Sequence, residues 1–166
     1  DAMNGNPEGQ DSNVLFNIQR LFIKDISFEA PNAPEVFLET EAPEIKMELN
    51  SRSRQLQDDV YEVVLTITVR AERQDKTDFL IEVQQAGIFG ISGMEPGQLR
   101  VVLGSYCPNV LFPYVREVVS SVVTKAGFPQ LLLAPINFDH LLAQQLQREA
   151  EGSEAAAAGA PADAVN

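Results

Sequence analysis

Residues 60–89 read VYEVVLTITVRAERQDKTDFLIEVQQAGIF, two apolar-alternating runs divided by the charged stretch ERQDK. In the first run Tyr61, Val63, Leu65, Ile67 and Val69 share one parity. A two-residue period is the mark of a strand with one buried face. In the second run, Thr77 to Phe89, the residues Ile81, Val83 and Gln85 share one parity while Leu80 and Glu82 take the other. Two such runs separated by a short polar loop predict an antiparallel hairpin.

Two further strands precede this hairpin. EIKMELN, residues 44–50, places Ile45, Met47 and Leu49 on one face and charges on the other. Val14 to Glu29 is rich in β-formers but slips phase. Phe16 and Ile18 share one parity, Leu21 and Ile23 take the other, and Ile26 and Phe28 return to the first. The slips predict a bulge or local twist, with Ile26 and Phe28 expected to meet the core. NAPEVFLETEAP (32–43) carries Pro34 and Pro43 and is expected to be a long crossing loop. Strands in direct succession, without crossover helices, imply an antiparallel sheet.

After the turn-rich GIFGISGMEPGQ (87–98) the period becomes helical, with Leu99, Val102, Leu103 and Tyr106 at helical spacing. Pro108 suits a helix start, and Leu111, Val115, Val118 and Val122 form an apolar stripe that ends before Gly127. Val110, Tyr114, Val119 and Val123 lie outside that stripe, so this helix is apolar over more surface than one sheet face needs. The excess predicts a second partner, most simply another subunit. A second helix is expected from Asn137 or Asp139, either able to cap it, and carries Leu142 and Leu146. The fold class is therefore α+β: a four-stranded antiparallel sheet with one face covered by two helices. Residues 1–13 are polar and are expected to form a disordered lead, residues 14–149 the folded domain, and residues 150–166 a flexible low-complexity tail.

Composition narrows the chemistry. A net charge of −12 argues against nucleic acid, which needs clustered Lys and Arg, and against anionic membrane surfaces. Basic clients or a basic partner fit better. The longest uncharged run, Val101 to Val115, is 15 residues and contains Pro108 and Pro113, too short and broken to span a bilayer. No secretory leader pattern opens the chain, so a soluble, cytoplasmic protein is expected. The single cysteine, Cys107, and single histidine, His140, cannot build a zinc site, and no cofactor is expected. Cys107 as a nucleophile would need a base, and His140 lies 33 residues away with no linking motif. Cys107 is expected to be a small buried hydrophobe, and His140 a solvent-side helix residue. Gly87, Gly90 and Gly93 lack the βαβ unit or Lys-Ser/Thr of a phosphate loop. Asp58 and Asp59 are expected to be solvated. No catalytic constellation emerges, so an enzyme is not expected.

Five segments together resemble the SecB family of bacterial protein-export chaperones: KDISFEAPNAPEVF, DDVYEVVLTITVRA, FLIEVQQAGIFGISG, YCPNVLFPYVRE and FPQLLLAPINFD. The similarity runs from about Ile18 to Leu146 in unbroken order. It implies a four-stranded sheet with two helices, assembled as a homotetramer that is a dimer of dimers. It implies an ATP-independent holdase that captures unfolded precursor proteins and passes them to the translocation ATPase SecA. The same fold is used by SecB-like chaperones dedicated to toxin–antitoxin pairs; a small-molecule-binding or enzymatic α+β domain is the rival of a different class.

The resemblance also assigns roles to residues. Asp25, Glu29, Leu80 and Glu82 match the site for the small, basic, zinc-binding C-terminal segment of SecA. Ile45, Met47 and Leu49, with Leu142 of the second helix, would line a client groove. Ile81, Val83 and Gln85, together with Cys107, Tyr114 and Val118, would lie at subunit contacts, and the Gln85 amide would need a hydrogen-bond partner, across the interface on this reading.

Overall fold

The structure, a computed structural model, describes residues 13–158. Four strands, β1 (Leu15–Glu29), β2 (Glu44–Gln57), β3 (Val60–Arg73) and β4 (Lys76–Ser92), make one antiparallel sheet in the order β1-β4-β3-β2. The hairpin expected from 60–89 forms, with Leu65 opposite Gln85, Ile67 opposite Val83 and Val69 opposite Ile81. The phase slips of β1 are two register shifts, one between Ile18 and Arg20 and one between Ile23 and Asp25. Each leaves one residue, Gln19 and Lys24, outside the pairing and resets which parity faces the core. β2 runs on past Asn50 to Gln57 although Ser51–Gln57 is almost wholly polar, because its backbone is carried by the ladder to β3.

The helical half differs in its start. Helix α1 (Pro96–Val101) passes without a break through a wider turn at Val102–Tyr106 into α2 (Cys107–Lys125). The helix therefore begins at Pro96 behind Glu95, and Pro108 lies inside it. Its imino nitrogen cannot donate and its ring crowds the carbonyl of Gly104. The wider turn accommodates this, since the Cys107 N–H reaches back to the Val102 carbonyl, five residues upstream. Gly127, at φ 93, ends α2 as expected, its N–H bonded to the Thr124 carbonyl at 3.1 Å.

Five residues of one row, Cys107, Leu111, Val115, Val119 and Val123, are fully buried against β3 and β4. This corrects the expected stripe: Val119 and Val123 are the core residues, whereas Val118 and Val122 are half-buried beside Val110 and the exposed Tyr114. Opposite that row the sheet supplies Val63, Leu65, Ile67, Val69, Ile81, Val83 and Phe89, all at 0% exposure. Burial of a full-size aliphatic side chain contributes about 1.5–3 kcal/mol, so this interface holds most of the stability. Phe28 packs on the core, but Ile26 stays exposed although it sits opposite Val83, because no helix lies over β1.

Helix α3 (Phe138–Ala158) is capped by Asn137, whose Oδ1 accepts the His140 N–H at 3.0 Å. It stacks chiefly on Val102–Tyr106 rather than on the sheet. The Ser105 hydroxyl donates to Asp139, and Arg100 pairs with Glu149. The helix continues through Ala150–Ala158, past the domain boundary expected at Glu149. Once the packed turns have nucleated, alanine adds to a helix at little cost; the Gln145–Glu149 and Gln147–Glu151 side-chain bonds (both 3.1 Å) brace it up to Gly152, and the Ser153 hydroxyl donates across that glycine to the Ala150 carbonyl at 2.9 Å. The remainder of the expected tail and the expected lead, save Asn13, lie outside the described residues.

Two polar devices tie the sheet together. The Gln85 side chain, 4% exposed, donates from Nε2 to the Phe22 carbonyl of β1 at 3.1 Å. On the opposite face Glu62 of β3 accepts Lys24 of β1 at 3.0 Å and Arg54 of β2 at 2.9 Å, linking both edge strands to the centre. The Arg54 hydrogen bond, opposed by burial and reinforced by Lys24, holds the Glu62 carboxyl below its usual range.

Two outcomes follow. Gln85→Met, close in volume, should cost about 1 kcal/mol in urea unfolding by withdrawing the donor from the Phe22 carbonyl, with no change of oligomeric state. Because the folded-state value of Glu62 is depressed, its stabilisation is complete above the free carboxylate value of about 4.3 and is lost as pH falls through the lower folded value. Glu62→Gln should therefore lower the urea midpoint at neutral pH and flatten the wild-type decline below about pH 4.3.

Candidate functional site

Helix α2 covers β3 and β4 and leaves the helix-side row of β2 open. That row comprises Ile45, Met47, Leu49, Ser51 and Ser53, opposite the core residues Ala71, Val69, Ile67, Leu65 and Val63. Ile45 and Met47 are each 43% exposed and Leu49 is half-buried, so the row is the apolar floor of a trough along an edge strand. At about 3.3 Å per residue the floor runs roughly 25 Å from Ile45 to Ser53.

Both ends of the trough are concave. At the Ile45 end, the crossing loop and the segment after α2 enclose about 530 Å³ lined by Phe37, Pro43, Phe79, Phe128 and Leu131. Phe128 is the hub: its ring centroid is 5.0 Å from Phe37 and 4.9 Å from Phe79. A side chain at Gly127 would meet the Phe37 ring at 3.3 Å, so glycine there serves both the turn and the approach of the loop. Beneath lies the pair of Arg73 and Asp78, Nη2 to Oδ2 at 2.8 Å, with Asp78 almost fully buried. None of these aromatics was identified from the sequence. Phe37 sits in a single 3-10 turn (Glu35–Leu38) of the crossing segment, Phe128 just after α2 and Phe79 near the start of β4, where no periodicity marks a face.

At the other end Leu99, Leu103 and Leu142 face Ser51–Ser53 across about 510 Å³. Leu142 reaches this position because Gly104 has no side chain; a Cβ there would stand 2.8 Å from Leu142 Cδ1. Leu142 and Ile45 thus mark opposite ends of the trough, joined by Met47 and Leu49, rather than one compact patch.

The other face of the sheet carries no helix. Glu29 pairs with Leu80, Glu82 with Ser27 and Asp25 with Gln84, so the register sets Asp25, Glu29, Leu80 and Glu82 on that one open face. Asp25 and Glu29 are exposed; Leu80 and Glu82 are half-buried, and Glu82 accepts the Thr68 hydroxyl at 3.2 Å.

The residues assigned to subunit contacts divide. Ile81, Val83, Gln85 and Cys107 are buried within the single chain, and the Gln85 amide has its hydrogen-bond partner on β1. Tyr114, 49% exposed, and the half-buried Val118 remain available on α2, and Ile18, Ile23 and Ile26 are exposed on the helix side of β1. Cys107 has no polar neighbour to stabilise a thiolate, and burial pushes its thiol up to about 12, which makes it unreactive near neutrality. His140 is exposed. Among the described residues no group of His, Cys, Asp or Glu could hold a metal ion, and no helix is long and apolar enough to cross a membrane.

The SecB-like chaperone Rv1957 of Mycobacterium tuberculosis, solved in complex with a ChAD peptide from the HigA1 antitoxin Rv1956, has a similar fold. It superposes with a TM-score of 0.62 at 16% identity, covering 73% of this chain and 90% of that one. A protein of unknown function from Streptococcus agalactiae matches at 16% identity with a TM-score of 0.42, over 74% of this chain and 98% of its own. The family profile described as preprotein translocase subunit SecB matches residues 9–149, nearly the whole described fold. The α+β architecture and this match agree with the five resembling segments, and the chain belongs to the SecB family of chaperones.

Proposed function

We propose that this chain is an ATP-independent cytoplasmic holdase, without enzymatic activity, that receives unfolded precursor proteins in the β2 trough and delivers them to SecA for export. The observation that carries this reading is the uncovered apolar row of Ile45, Met47 and Leu49, running between two concavities on an edge strand. An extended polypeptide needs such a site: a floor with spaced apolar side chains and pockets for bulkier ones. Met47 supports broad selectivity, since its flexible thioether adapts to varied partners.

The assembly on this reading is a homotetramer, a dimer of dimers. Tyr114 and Val118 on α2 and the exposed isoleucines of β1 supply unpartnered apolar surface of the kind that subunits cover. SecA would dock its basic segment on Asp25, Glu29, Leu80 and Glu82, with opposite charges raising the association rate and Leu80 adding a contact that salt does not screen. Service to a toxin–antitoxin pair is the second reading, favoured by the antitoxin peptide held by the M. tuberculosis chaperone. Pull-down from a cytosolic extract separates the two: precursors and SecA support export, and an antitoxin as the dominant client supports the other.

Met47→Asp should weaken capture of an unfolded client about tenfold, measured by suppression of its refolding or aggregation without nucleotide, while the oligomer persists. Unchanged capture would place the client elsewhere. Asp25→Lys with Glu82→Lys should abolish binding of the SecA C-terminal segment, read by calorimetry at low salt, and spare client capture. Wild-type affinity for the segment in that variant would remove these residues from the docking site.

A further inference from the structure

The open face of the sheet is divided by charge. Its acidic end holds Asp25, Glu29, Glu48 and Glu82, with Lys46 and Arg70 there both paired to Glu72, whereas two adjacent cross-sheet rows at the other end together carry a net positive charge. One row runs Arg20, Ile88, Glu62, Arg54 and the next Phe22, Ala86, Val64, Arg52. Lys24, left out of register by the second bulge, reaches into the same patch to bond Glu62. Four of the chain's 12 cations therefore surround the one carboxylate in these rows. Glu62 is nearly buried and already engaged by Lys24 and Arg54, and among the described residues Arg20 and Arg52 have no ion-pair partner. In a chain of net charge −12, such a patch is a local reversal of sign.

The patch is continuous with the trough. Arg52 and Ser53 of edge strand β2 line both the concavity at the Leu142 end and the small one over Glu62. A polypeptide leaving the trough there has only the thickness of one strand to cross before it meets the arginines. The patch is also small, two rows spaced by roughly 7 Å across four strands. It suits a short run of carboxylates, and the surrounding negative surface repels an extended polyanion such as nucleic acid.

Resting on the trough reading above, we propose that Arg20, Lys24, Arg52 and Arg54 form a second subsite, which binds an acidic segment flanking the apolar stretch of a client held in the β2 trough. Arginine suits this role because its fork meets carboxylates in a bidentate way. The patch then gives the chaperone a means of selecting clients by what adjoins their apolar stretch.

The test uses two rhodamine-labelled peptides, an apolar one and the same sequence with a glutamate-rich flank, titrated into the full chain by fluorescence anisotropy. The flank should tighten binding about fivefold at roughly 50 mM salt and hardly at all at roughly 500 mM, as exposed ion pairs are weak and screened. Arg20→Gln with Arg54→Gln should remove the gain and leave the apolar peptide's affinity unchanged. Arg20→Lys with Arg54→Lys should restore most of it, and a charge-matched pair away from the patch, Lys76→Gln with Lys125→Gln, should keep it. Equal affinity of the two peptides for the unaltered chain, or a gain that survives the Arg→Gln changes, would overturn the subsite. So would displacement of the flanked peptide by a short oligonucleotide more readily than by a glutamate peptide. Failure of the apolar peptide itself to bind would overturn the trough reading and this one with it.

Discussion

One helix cannot cover a four-stranded sheet. Strands spaced about 4.8 Å apart set the two edge strands roughly 14 Å from each other, while a helix with its side chains is about 10–12 Å across. The row of Cys107, Leu111, Val115, Val119 and Val123 therefore settles over the central pair, β3 and β4, and seals their apolar faces completely. The same side of β1 and of β2 is left bare, showing Ile18, Ile23 and Ile26 on one edge and Ile45 and Met47 on the other. A second helix over the sheet would have closed one of these rows, but α3 is drawn instead onto the first helix by Gly104, Leu142 and the Ser105–Asp139 bond.

The two bare rows differ in shape. The β2 row lies between walls, the crossing loop with its aromatics at one end and α1 with α3 at the other, so it forms a trough suited to an extended chain. The β1 row of Ile18, Ile23 and Ile26 lines neither of those concavities and, with Tyr114 of α2, is exposed apolar surface of the kind a folded partner covers. The proposed division of labour between client binding and assembly thus rests on one geometric fact and on which edge the loops happen to flank.

Electrostatics acts on the other side of the sheet. Glu62 anchors a bridge from edge to edge, and the carboxylate is retained there because two cations satisfy it. Gln85 answers on the helix side by holding β1 through the Phe22 carbonyl. Without a helix over β1, these polar ties add to the ladder to β4 and to the core contacts of Phe16, Leu21 and Phe28 in holding that strand, and the bulges that reset its parity also release Lys24 toward Glu62.

The strands were legible because a period of two on a half-buried surface leaves a direct imprint: Val63, Leu65, Ile67 and Val69 face the core as their parity requires, and the slips in β1 appear as bulges. The family and its sheet-plus-helices architecture were legible too, from long ordered segments. The sequence could not say which valine of each pair in VVSSVV meets the sheet, since Val118–Val119 and Val122–Val123 are equally apolar and only the docking angle chooses between i+3 and i+4 rows. Nor could it show that Gln85 finds its partner inside the chain, or that Phe37, Phe79 and Phe128 converge. By itself the sequence determined the order of the elements, the helix-facing parity of each strand and the family. The tertiary structure alone decided which apolar rows stay open and how the charges of separate strands meet, because both depend on distances between elements that no local period records.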